Sequence, residues 1–231
     1  MDYDIISFDL DGTLVDTAAE IAEAANRTLD AHGLARRTPA EITSLIGPGS
    51  HKLMLGLLAR CLIDAPHLAQ SVRVDAVLTS FEEHYAATAG STATPYRGCH
   101  EALTQLKNAG VRLACVTNKE LRHARRVLAA TQLDGYFDLT IGGDSLAEHK
   151  PHPSVLRHVV TTLRGSAART AHVGDSITDI EAARSAGVGA WAVPYGYHAG
   201  VPIADAKPQR LFQNLQQVAD HVLGTRQACL N

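Results

Sequence analysis

Asp9-Leu10-Asp11-Gly12-Thr13 sets two carboxylates two residues apart and follows them with a glycine and a hydroxyl. A strand alternates its faces and Gly12 can redirect the chain, so both carboxylates can meet where a strand ends. Such a pair suits divided labour on a phosphate ester. One carboxylate attacks phosphorus to give an acyl phosphate, and Asp11 protonates the departing alcohol and then takes a proton from the attacking water. More polar groups follow in chain order: Thr117-Asn118-Lys119, Lys150-Pro151, and Gly174-Asp175-Ser176 with Asp179. Turn N–H groups and Thr117 would hold phosphate oxygens, with Asn118 beside them and Lys150 as a compact positive charge. Aspartates gathered at one place repel by several kcal/mol at roughly 4 Å, so this set predicts a cation. All-oxygen ligation of this kind suits Mg²⁺. Each residue taken singly is an ordinary turn or capping residue; the ordered set is what points to function.

The elements that must position these groups alternate. Ile5 to Leu10 is a short apolar run ended by Asp11-Gly12 and reads as a buried strand. Val111–Thr117, Leu139–Ile141, Ala171–Gly174 and Ala190–Val193 read as four more. Helical patterns separate them at Gly98–Asn108, Leu121–Ala130, Pro153–Leu163 and Asp179–Ala186, and Leu211, Leu215, Val218 and Val222 mark a terminal helix. Alternation of this kind predicts a doubly wound α/β fold with a parallel sheet, whose ligands bind at the carboxyl ends of the strands.

Residues 16–94 break the rhythm, with helical periodicity and no convincing strand. They read as an inserted helical unit over a core of residues 1–15 and 95–231, with joints near Val15-Asp16 and Pro95-Tyr96. Ala18, Ile21, Ala22, Ala25 and Leu29 recur at helical spacing, and Thr38-Pro39-Ala40-Glu41 has the spacing of a capping box. Further helices are expected near His51–Cys61, with Leu53, Leu55, Leu57 and Leu58 as the unit's own core, and near Leu68–Ala87. Since the sheet edge would hold only phosphate and metal, discrimination falls to this unit. Gly47, Gly49, Ser50, His51 and Lys52 are the candidates: glycines admit close approach, a helix amino terminus favours anions, and His51 or Lys52 can face a carboxylate.

The composition excludes several classes. The 231 residues are 45% hydrophobic and 19% charged, with a formal charge of −3 and no long basic run, so nucleic acid is not an expected partner. No apolar stretch approaches a membrane span, and Met1-Asp2-Tyr3-Asp4 lacks the basic and apolar regions of a secretory signal, so a cytoplasmic protein is expected. Cys61, Cys99, Cys115 and Cys229 form no C-x-x-C pair and read as reduced and structural. The expected partner is a small phosphorylated metabolite, and the expected state a monomer or homodimer.

Phe8-Asp9-Leu10-Asp11-Gly12-Thr13-Leu14-Val15-Asp16, Val116-Thr117-Asn118-Lys119, Lys150-Pro151-His152-Pro153 and Gly174-Asp175-Ser176 with Asp179 together resemble the haloacid dehalogenase superfamily. Ile46-Gly47-Pro48-Gly49 and Tyr195-Gly196-Tyr197 are similar to its phosphoglycolate phosphatase-like group. The resemblance implies a Rossmann-like core with an inserted helical cap. It implies Asp9 as nucleophile, Asp11 as acid and base, and Thr117 with Lys150 as phosphate holders. Mg²⁺ would be bound by Asp9, Asp175 and the backbone carbonyl of Asp11, with Asp179 in support. The expected reaction is hydrolysis of a small phosphate monoester, 2-phosphoglycolate first. Sugar-phosphate phosphatase or β-phosphoglucomutase-like chemistry is the alternative, and a silent regulatory domain a distant one.

Overall fold

The structure is a computed structural model that describes residues 3–198 and 201–228, with side chains to residue 224. Cys229 and the ends of the expected core unit lie outside the described residues. In chain order the elements are β1 (Ile5–Phe8), β2 (Val15–Asp16), α1 (Ala18–Ala31), α2 (Pro39–Thr43), α3 (Ser50–Asp64), α4 (Val74–Thr88), β3 (Thr94–Pro95) and α5 (Cys99–Asn108). Then come β4 (Arg112–Val116), α6 (Leu121–Ala130), β5 (Leu139–Ile141), α7 (Ser154–Thr162), β6 (Thr170–Gly174), α8 (Ile177–Ala186), β7 (Gly189–Ala192), β8 (Arg210–Leu211) and α9 (Leu215–Ala228).

Six strands form one parallel sheet in the order β5-β4-β1-β6-β7-β8. The period of two divides each strand between two cores. Ile6, Phe8, Leu113, Cys115 and Val173 face the layer closed by α5, α6 and α9, while Ile5, Ala114 and Val116 face that closed by α7 and α8. Both faces are thus covered, as parallel crossovers require. Because β1 lies between β4 and β6, the residues leaving these three strands emerge side by side.

The four helices between β2 and β3 pack on a separate core that includes Ile21, Leu29, Met54, Leu57, Phe81 and Tyr85. The capping box forms as the spacing predicts: Glu41 N donates to Thr38 Oγ1 at 3.3 Å, and Thr38 N donates to Glu41 Oε2 at 2.9 Å. The unit joins the sheet through the antiparallel pair β2 and β3, in which Val15 opposes Pro95 and Asp16 opposes Thr94.

Three expectations change. Leu55 is 38% exposed and does not join the helical core, because it lies two residues from Leu53 and Leu57 and so turns to the opposite face of α3. The helix expected from Leu68 starts at Val74, since Pro66–Leu68 forms one 3₁₀ turn and closes on its own carbonyls. Leu211 is in edge strand β8 and not in the terminal helix. The ladder bonds Gln209 N to Ala190 O (2.8 Å) and Phe212 N to Ala192 O (2.9 Å) hold it there. Asn214 then accepts from Gln217 N at 3.0 Å and starts α9 one residue later.

Candidate active site

The sheet order decides which residues meet. Asp9 leaves β1, Thr117 leaves β4 and Asp175 leaves β6, so the central strand's carboxylate sits between the other two groups. A tight turn follows, in which Leu10 O accepts from Leu14 N and Val15 N, both at 3.0 Å, and Gly12 has φ +85. A Cβ on Gly12 would lie 2.4 Å from Asp175 Oδ2, so glycine is required there twice over, by conformation and by contact.

Lys150, from the loop after β5, reaches in beneath these groups. Its buried ammonium donates to Val116 O at 2.6 Å and Asp179 Oδ1 at 2.7 Å and lies 2.9 Å from Asp9 Oδ1. The last contact is close but poorly aligned, so Asp9 Oδ1 is buried without a hydrogen-bond donor. Burial lifts the Asp9 carboxyl from the usual 3.8 to about 7, against the pull of Lys150 and with the repulsion of Asp179 and Asp11. Burial likewise pushes Asp175 well up, helped by Asp9 and Asp179. Asp179 goes the other way: burial opposes its charge, but Lys150 and His172 overcome that and hold it far below the usual carboxylate range.

Asp9, Asp175 and Asp179 each bring an oxygen within 4.8 Å of the others. Asp179 is already saturated, with Lys150 (2.7 Å) and His172 (3.2 Å) on Oδ1 and Ser176 N (3.1 Å) and Oγ (2.5 Å) on Oδ2. Asp175 is oriented by Thr13 Oγ1 at 2.8 Å and by the backbone N–H of Tyr197 at 2.5 Å. An acidic, all-oxygen, buried donor set with one undonated oxygen on Asp9 is chemically suited to a hard divalent cation.

Asp11 is held from two sides. Lys119 Nζ lies 2.5 Å and Thr17 Oγ1 2.6 Å from its Oδ1, and both contacts fall on that one oxygen. Lys119 and Thr17 are absent from the sequence-level candidate set, although Lys119 stands within the Thr-Asn-Lys run that signals the site. Tyr197 was expected only as part of a motif. Its hydroxyl donates to Asp16 Oδ1 (2.5 Å) and accepts from Thr17 N (2.8 Å) and Ala18 N (3.0 Å), so it caps the first turn of α1 from across the molecule.

A cavity of about 30 Å³ opens over Asp9 and Asp11, with Thr117 and Asn118 on the sheet side and Gly47, Gly49 and Ser50 on the helical side. Asn118 Nδ2 ties the two sides by donating to Gly47 O (3.2 Å) and Lys150 O (2.9 Å). His51 and Lys52 are exposed and line neighbouring clefts instead.

Residues 6–193 match the model of the haloacid dehalogenase-like hydrolase family. The chain belongs to that family. Among similar relatives of this hydrolase, the plasmid-encoded phosphoglycolate phosphatase of Cupriavidus necator is 40% identical over 83% of this chain and 81% of its own. The phosphoglycolate phosphatase of Colwellia psychrerythraea is 36% identical over 93% and 95%. The crystal structure of a predicted phosphoglycolate phosphatase from Haemophilus somnus superposes on this hydrolase with a TM-score of 0.90 at 30% identity, covering 94% of this chain and 97% of that one.

Proposed function

We propose that the protein is a Mg²⁺-dependent phosphatase that hydrolyses 2-phosphoglycolate to glycolate and phosphate through an aspartyl-phosphate on Asp9. The observation that carries this reading is the convergence of Asp9, Asp11, Thr117, Lys150 and Asp175 at the carboxyl ends of β1, β4, β5 and β6. The names of the relatives support the substrate.

In this mechanism Asp9, Asp175 and the Asp11 carbonyl would hold the ion, with Asp179 behind them. The bound ion would neutralise the carboxylates and draw charge from the phosphoryl oxygens. Lys150 and Thr117 orient the phosphoryl group beside Asp9. An Asp9 oxygen bonds to phosphorus as the ester P–O bond breaks, and Asp11 Oδ2 gives its proton to the departing alkoxide. Lys119 and Thr17 keep Asp11 in place by holding the other oxygen. Asp11 then takes a proton from water as the water oxygen bonds to phosphorus and the Asp9–phosphorus bond breaks, releasing phosphate. Residues 16–94 act as a cap domain over a core of residues 1–15 and 95–231, and Gly47, Gly49 and Ser50 shape the substrate end.

The cytoplasm is the proposed compartment, supported by the buried, unpaired state of Cys61, Cys99 and Cys115. No helix among the described residues is long and apolar enough to cross a membrane. The test is phosphate release from 2-phosphoglycolate and from hexose phosphates, with Mg²⁺ and with chelator. Release that prefers 2-phosphoglycolate, needs the ion and is lost in Asp9→Asn supports the reading; turnover of hexose phosphates alone would defeat the substrate.

A further inference from the structure

Tyr85 stands on the helical side of the cavity, on α4, and is 2% exposed. Its ring is clamped: Phe81 stacks on it with centroids 5.5 Å apart, the His123 ring lies at 4.7 Å, and Lys119 Nζ sits over the face at 5.3 Å. Its hydroxyl nevertheless has no hydrogen-bond partner among the described residues. Buried hydroxyls are almost always paired, so an unpaired one held rigidly at a cavity wall asks what completes it. Packing alone does not explain it, because Phe81, one turn earlier and facing the same core, fills its place without a hydroxyl.

Burial, with the carboxylates of Asp11, Glu20 and Glu120, pushes the phenol well above its usual range, so the group is a neutral donor. The direction of the chemistry says what it can reach. In-line displacement puts the leaving oxygen on the far side of phosphorus from Asp9, so the rest of the alcohol projects away from the sheet, toward α3 and α4. The helical walls there carry Ile21, Leu53 and Phe81, while Ser50 donates to Glu120, whose other carboxylate oxygen is buried without a partner on the same cavity.

We propose that the Tyr85 hydroxyl is a specificity-determining donor to a polar oxygen of the leaving alcohol, which in 2-phosphoglycolate is the carboxylate. This rests on the phosphatase reading above and deepens it.

The test compares wild type and Tyr85→Phe on three two-carbon esters: 2-phosphoglycolate, 2-hydroxyethyl phosphate and ethyl phosphate. The expected result is a ten- to hundredfold loss of kcat/KM on 2-phosphoglycolate, at most twofold on ethyl phosphate, and a melting temperature no lower than that of wild type. Equal loss on all three esters, or no loss on 2-phosphoglycolate, overturns the proposal. Should wild type ignore 2-phosphoglycolate while the variant loses selectively on 2-hydroxyethyl phosphate, the donor stands and the substrate reading falls.

Discussion

Asp9→Asn separates the stability of the site from its chemistry. The Asp9 carboxyl rises from 3.8 to about 7, chiefly through burial. At about 1.4 kcal/mol per unit, holding it ionised costs the metal-free protein about 4 kcal/mol. The native state binds this proton more tightly than the unfolded chain, so stability falls as pH rises through the window from 3.8 to about 7, and the whole cost is present above it. Asparagine keeps the shape and removes the charge. Lys150 is not stranded, because it retains Val116 O at 2.6 Å and Asp179 at 2.7 Å. In chelator at pH 8 the variant should be more stable by up to about 4 kcal/mol, a rise in melting temperature of roughly 8–16 °C for a chain of this size. At pH 5 the gain should shrink to less than half. Thermal unfolding at the two pH values measures both, and a Mg²⁺ titration should then raise the melting point of wild type far more than that of the variant. A gain of equal size at both pH values, or a loss at pH 8, would refute the account of Asp9 as a buried charge awaiting a cation.

Other perturbations follow from the same geometry. Asp11→Asn should lower kcat by 10²–10⁴-fold while substrate still binds, and rapid-quench labelling should show slowed breakdown of any aspartyl-phosphate that forms. Gly12→Ala should leave the fold intact by circular dichroism but weaken Mg²⁺ binding at least tenfold, because its Cβ would meet Asp175 Oδ2 at 2.4 Å. Glu20, buried with one oxygen unpartnered, is held above its usual 4.5 by burial despite the Gly90 N–H. Its contribution therefore falls as pH rises above 4.5, and Glu20→Gln should flatten that slope and melt higher than wild type at pH 8 but not at pH 4.5.

The sequence makes the sheet side of this site readable because Asp9, Thr117, Lys150 and Asp175 sit at strand ends, where period-two runs stop at turn residues. Strand β8 was hidden, since two residues between Pro208 and Phe212 carry no period and pair only because β7 offers an edge. Helical spacing placed Leu53 and Leu57 inside, but a leucine count alone could not exclude Leu55, whose phase turns it outward. Tyr85 gave no signal at all, because helical periodicity reads any aromatic on the inner face as packing. Tyr197 meets Asp175 only through a tertiary contact that no local pattern encodes, and Thr17 reaches Asp11 across the turn that lies between them.

The ribbon of β2 and β3 has a consequence for how such a molecule can diversify. Since Asp16 pairs directly with Thr94, the chain departs from the sheet and returns to it at neighbouring points. What lies between is therefore a self-contained loop with respect to strand register, and closing a longer or shorter excursion changes its entropy only slowly. The excursion can therefore change in length or content without disturbing the order of the strands that end at Asp9, Thr117 and Asp175.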